Sequence, residues 1–224
     1  MKVVLLHALP LDERMWEPQR DALSPYEVLA PRLYGLGNSV DAVADGVLAL
    51  ADGPLALVGA SMGGYCALAM ARRAPERVRA VVLAGSRPDA DSPERQAGRA
   101  GTIELIRNEG AEGLWRSMRP RLLPPGVPQE VVDRCWGIAR EQEPEELVAA
   151  VEASRDRPDS TDLAQGLGER LLVAVGDRDP FVSPDELRPL VSAVHVFAGA
   201  GHLPSLERPE ELNQVLLAYL ARWT

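Results

Sequence analysis

The stretch from Leu55 to Ala71, LALVGASMGGYCALAMA, most narrows what this chain can become. A short apolar run ends at Gly59, and a run rich in small residues begins just after Ser61. Between them Gly59-Ala60-Ser61-Met62-Gly63 matches G-x-S-x-G, the pattern of a sharp strand-to-helix turn that lifts a serine out of a sheet. A turn this tight brings backbones together, and a Cβ at either flank would collide. Gly64 and Ala67 then let the helix lie close on the sheet. The alternative reading is a glycine-rich loop holding an ordinary serine, and the apolar run before it with the helix after it argues against that.

Elements on either side repeat the same alternation. Strands are expected at Val3–Leu6, Tyr26–Ala30, Leu55–Val58, Val78–Ala84, Leu171–Val175 and Val194–Phe197, and the unbroken apolar run at Val3–Leu6 is that of a strand buried on both faces. Helices are expected at Glu13–Leu23, from a Ser39 or Asp41 cap to about Ala51, at Ser61–Arg73, at Pro184–Val191 and at Pro209–Ala221. Alternating strands and helices imply a parallel sheet covered on both faces. The texture changes from about Arg87 to Gly168, where strand character is scarce and prolines are frequent. Helices are expected near 93–109, 111–118, 128–142 and 144–155. The fold class is therefore α/β: a mostly parallel, six-stranded, doubly wound sheet built from residues 1–86 and 169–224. Residues 87–168 are an inserted helical cap.

Composition bounds the partners. A formal net charge of −9 argues against nucleic acid and anionic membranes. No long charge-free apolar stretch qualifies as a membrane span, and the N-terminus shows no signal-peptide layout, so the cytoplasm is the expected location. Cys66 and Cys135 lie far apart and suggest neither a disulfide framework nor a metal site. No metal or other cofactor is expected.

A serine hydroxyl needs a base, and the base needs an orienting group. Only three histidines are available. His195 sits inside a strand pattern and is expected to face a surface. His7 ends the first strand and is expected to serve as a structural hydrogen-bonding residue. His202 lies in a glycine-flanked loop after the last strand, where an imidazole can swing over the sheet edge. Open parallel sheets bind ligands at the carboxyl ends of their strands, and Ser61, Asp177, Asp179, His202 and the turn at Ala8-Leu9 all follow strand ends. Strand-end position does not choose between Asp177 and Asp179. Pro180 favours Asp179, because it removes an N–H that would compete for the carboxylate.

The segments HALP at His7–Pro10, GASMGG at Gly59–Gly64, GDRD at Gly176–Asp179 and GHLPSLERPE at Gly201–Glu210 together resemble the alpha/beta-hydrolase family. The likeness is to its small esterases, enol-lactonases and cofactor-free haloperoxidase-like members, and it spans nearly the whole chain. The resemblance implies Ser61 as nucleophile, His202 as base and Asp179 as orienting acid in a catalytic triad. Backbone N–H groups of Leu9 and Met62 would form the oxyanion hole, and the strands would lie in the order 2-1-3-4-5-6. Two features depart from the family. Ala8 stands where a glycine is usual, and the antiparallel hairpin common at the family's N-terminus is expected to be missing. The serine excludes the carboxylate chemistry of related dehalogenases and epoxide hydrolases. The implied activity is hydrolysis of a small carboxylic ester or lactone through an acyl-enzyme. The same residues also suit a thioesterase, a C–C hydrolase or a perhydrolase, and a non-catalytic ligand-binding member of the fold is the contrasting reading. Trp115, Met118, Leu122 and Trp136 are the candidate residues lining an apolar substrate pocket.

Overall fold

A computed structural model describes every residue from Met1 to Thr224. Six strands, β1 (Lys2–Leu6), β2 (Glu27–Leu29), β3 (Leu55–Ala60), β4 (Val78–Ala84), β5 (Leu171–Gly176) and β6 (Val194–Phe197), form one sheet in the order β2-β1-β3-β4-β5-β6. Every pairing is parallel. The four inner strands β1, β3, β4 and β5 need little polar alternation because both their faces are covered, while the edge strands β2 and β6 stay partly exposed. Val4, Leu6, Leu55, Leu57, Val81, Leu83, Val173 and Val175 point into one core. Their neighbours Val3, Leu5, Ala56, Val58, Val82, Ala84 and Ala174 point into a second core on the opposite face.

The first core is closed by α2 (Val40–Leu50) and α3 (Met62–Arg73), together with helices from the segment between β4 and β5. The second is closed by Met15 and Trp16 just ahead of α1 (Glu17–Arg20), by α9 (Pro204–Glu207) and by α10 (Pro209–Leu220). From β1 the chain steps outward to β2 and then returns past β1 to β3. The sheet order thus reverses between β1 and β3, where an open α/β sheet leaves a crevice at its strand ends.

Between β4 and β5 lie α4 (Pro93–Leu122), α5 (Gln129–Ala139), α6 (Pro144–Arg155) and α7 (Thr161–Leu167). Gly110, at φ 64°, breaks α4 into two segments at the position expected. The second segment runs four residues further than expected, through Pro120 to Leu122. Helix α5 stops at Ala139, short of the expected 142, where the Gln142 amide donates to the Ile138 carbonyl that a longer helix would use. Helix α7 was not expected.

The Glu13–Leu23 segment is not one helix. It is a 3₁₀ turn at Glu13–Trp16, capped by the Asp12 carboxylate, followed by the single turn α1. Pro18 has no N–H to continue a helix across that point. Helix α8 (Pro184–Leu187) likewise ends before Val191, because Pro189 cannot donate back to Asp185.

The insertion holds a buried ion-pair cluster of its own. Asp91 and Arg157 are buried and meet at 2.7 Å, and Arg99 also bonds the Asp91 carboxylate. Burial alone would raise the Asp91 carboxyl, but Arg99 and Arg157 outweigh it and hold the group below the usual carboxylate range. Arg157 also lies over the Tyr65 ring of α3 at 3.9 Å.

Candidate active site

Strand β3 ends at Ala60 and α3 begins at Met62, so Ser61 is the whole turn. Its backbone sits at φ 49°, ψ −112°, and it is the only non-glycine residue with positive φ. Such a conformation costs on the order of 1–3 kcal/mol and persists only where its surroundings hold it. Ser61 N–H donates to Ala84 O at 2.9 Å, and its carbonyl accepts from Gly64 N–H at 2.9 Å and from the Ser86 hydroxyl at 2.8 Å. The flanking glycines are demanded by close approach. A Cβ on Gly63 would strike the carbonyl of Leu6 in β1, and one on Gly59 would strike the Gly63 carbonyl.

His202 lies in the loop between β6 and α9 and is buried. Its Nε2 is 2.8 Å from Ser61 Oγ, and its Nδ1 is 2.8 Å from Asp179 Oδ2. The other Asp179 oxygen accepts from the N–H groups of Phe181 and Val182, which fixes the carboxylate. Asp177 points elsewhere and accepts from Gly199 N–H at 2.7 Å. The Phe181 ring covers the imidazole with centroids 4.6 Å apart, and the Arg121 guanidinium lies over the far side of Phe181 at 4.1 Å.

Leu9 follows β1 and Met62 opens α3 after β3, the two strands between which the sheet order reverses. Leu9 N–H makes no hydrogen bond within the protein, and Met62 N–H, at the first position of α3, has no carbonyl behind it. Both residues are almost wholly buried. His7 stands beneath this turn. Its Nε2 accepts from Leu33 N–H at 2.9 Å, and its Nδ1 is 3.3 Å from Ala8 O. Burial pushes the His7 imidazole down to about 4, so it is neutral. The methyl of Ala8 is buried in the second core, and Ala8 N–H donates to the Met15 sulfur. Asp12 accepts from Arg14 and Gln142, so the Leu9 turn is linked to the segment between α5 and α6.

The four candidate pocket residues separate. Trp115 and Trp136 stack with centroids 6.0 Å apart and line an open groove with Glu112, Arg116 and Arg119. That groove includes neither Ser61 nor His202. Leu122 is fully buried in the second core. Met118 packs against both cores, as does Phe181 beside the imidazole. His195 is half-buried on the edge strand, 3.6 Å from Glu211. Both cysteines are buried and free, and burial pushes their thiols up to about 12. No three His, Cys, Asp or Glu side chains gather as a metal-ligand group, and no helix is long and apolar enough to cross a membrane.

Sequence reasoning missed Phe181, Ser86 and Glu207. Phe181 follows Asp179-Pro180 and Ser86 follows β4, so strand-end position was an available signal for both. Glu207 lies on α9, inside the GHLPSLERPE segment that carries the family resemblance, and that segment was the available signal for it.

Residues 3–215 match the alpha/beta hydrolase family. The chain belongs to that family. Among solved structures, a thermophilic esterase from Thermogutta terrifontis superposes with a TM-score of 0.90 at 33% identity, covering 100% of this chain and 91% of the other. An enol-lactonase from Burkholderia xenovorans superposes with a TM-score of 0.85 at 24% identity, over 98% of this chain and 91% of the other, and at that identity shows the fold alone. A pimeloyl-[acyl-carrier protein] methyl ester esterase of Neisseria meningitidis is 28% identical over 229 residues, covering 93% of this chain and 88% of its own.

Proposed function

We propose that this alpha/beta hydrolase is a serine hydrolase that cleaves a small carboxylic ester or lactone through an acyl-enzyme. One observation carries the reading: the unbroken relay from Ser61 Oγ through both His202 nitrogens to Asp179 Oδ2, each step 2.8 Å. Its serine stands on the one strained non-glycine backbone position.

The roles follow from donor and acceptor chemistry. An ionised Asp179 only accepts, so His202 Nδ1 carries a proton toward it and leaves Nε2 free to accept the Ser61 proton. Ser61 Oγ then attacks the substrate carbonyl. The carbonyl π pair moves onto oxygen, and the unpaired N–H groups of Leu9 and Met62 donate to that oxyanion. The tetrahedral intermediate collapses and expels the alkoxide, which takes the proton from His202 Nε2. Water repeats the sequence on the acyl-enzyme, losing its proton to His202, and releases the acid and Ser61.

The esterase names of the Thermogutta and Neisseria relatives support an ester as the substrate class. Residues 87–168 act as the cap, because α4 brings Arg121 over Phe181, whose ring lies against His202. The test is labelling by a fluorophosphonate together with a panel of aryl esters of graded acyl length, thioesters and enol-lactones. Labelling at Ser61 with turnover of esters or lactones is expected. A protein that neither labels nor turns over any panel member would overturn the reading in favour of a non-catalytic ligand-binding protein.

A further inference from the structure

Glu207 is the one carboxylate behind the imidazole that the reaction above does not use. It is half-buried at the end of α9, and its two oxygens face the catalytic loop. Oε2 accepts from Gly201 N–H at 2.7 Å, and Oε1 accepts from Leu203 N–H at 2.9 Å. These are the two residues flanking His202. Neither N–H has a backbone partner, so Glu207 alone satisfies both. Gly201 and Leu203 are buried, which removes water as the substitute.

We infer that Glu207 is a positioning residue for the hydrolytic reaction, gripping the chain on both sides of His202 so that the imidazole stays between Ser61 and Asp179. The inference rests on the serine-hydrolase reading. His202 itself takes its place from only two side-chain bonds, and one of them, to Ser61, must break and re-form in every turnover. A loop held at residues 201 and 203 keeps the ring in line while that happens. Both bonds need acceptors, and a carboxylate supplies two where an amide supplies one and a protonated acid loses one. Burial raises the Glu207 carboxyl above its ordinary range. The groups that bear on its charge are His202, which favours the ionised form, Asp179, which opposes it, and the neutral Cys135 thiol of α5.

The experiment compares wild type with Glu207→Gln and Glu207→Ala. It measures kcat and KM for a short-chain aryl ester between pH 5 and 9, the rate of fluorophosphonate labelling, and folding by circular dichroism. Glu207→Gln is expected to lower kcat at least tenfold with KM changed less than threefold. Labelling should slow in parallel and the fold should be intact, with Glu207→Ala worse than Gln. The acid limb of the wild-type kcat profile should include a step that Glu207→Gln lacks. Wild-type kcat and an unchanged pH profile in Glu207→Gln would overturn the inference alone, as would a loss matching the unfolded fraction. Wild type inert to the probe and to every ester would overturn the functional reading itself, and the inference with it.

Discussion

His202 Nε2 stands 2.8 Å from Ser61 Oγ across 141 residues of chain. The contact joins the end of β3 to the end of β6, the third and last strands in the chain, on one edge of the sheet. Ser61→Ala should therefore end fluorophosphonate labelling and ester turnover while the circular dichroism spectrum stays that of wild type. The substitution removes one hydroxyl whose only side-chain partner is His202. Ester turnover unchanged in the purified variant would rule out serine catalysis.

The two aspartates after β5 should respond differently to the same amide substitution. Asp179 bonds the imidazole, and loss of the orienting carboxylate in a triad can cost about 10⁴ in turnover. Asp179→Asn is expected to lose activity on that scale with its fold retained. Asp177 bonds only Gly199 N–H, so Asp177→Asn should keep most activity and lose about 1 kcal/mol of stability. Paired kinetics and urea unfolding of the two variants check this, and an active Asp179→Asn beside a dead Asp177→Asn would reverse the assignment.

Acyl-chain preference should depend on Met118 more than on the tryptophans. Met118 packs against both cores, as does Phe181, which covers His202, whereas Trp115 and Trp136 line a groove without Ser61. Met118→Ala is expected to raise the ratio of long-chain to short-chain ester turnover severalfold. Trp136→Ala should leave that ratio within twofold of wild type. A selectivity change confined to Trp136→Ala would locate the acyl pocket in the groove instead.

Stability should fall in mild acid through His7. The folded protein holds His7 down at about 4, against 6.5 when free, because the neutral ring is buried and accepts from Leu33 N–H. Between those values the unfolded chain takes up a proton that the folded one refuses. The contribution is thus complete above pH 6.5 and is lost as pH falls toward 4, by about 3 kcal/mol in all. Urea unfolding at pH 7 and pH 4.5 should show a smaller drop in His7→Gln than in wild type.

The buried pair within the insertion should be costly to halve. Asp91→Ala leaves Arg157 buried without its carboxylate, and such a change costs about 3–5 kcal/mol. Replacing Asp91 and Arg157 together by apolar residues should cost less than Asp91→Ala alone, measured by thermal or urea unfolding.

Local chemistry carried much of the fold and part of the candidate site in the sequence. A serine between glycines, with an apolar run before it and small residues after it, reads as a strand-to-helix turn. Short apolar runs between turn residues read as strands of a covered parallel sheet. A break at Gly110 and a Ser39 cap are written in the residues themselves, as is a histidine that closes β1. What the sequence could not settle depends on which distant backbones meet. Asp177 and Asp179 are two residues apart and chemically alike, and only the loop after β6 decides that one meets Gly199 N–H and the other His202. Trp115 and Trp136 read as pocket residues, yet α4 and α5 stack them on each other in a groove whose lining does not include Ser61. Glu207 stands in the GHLPSLERPE segment, where no role for it can be read from the residues alone. Its two acceptors matter only because the fold buries two N–H groups, one on each side of the imidazole, within its reach.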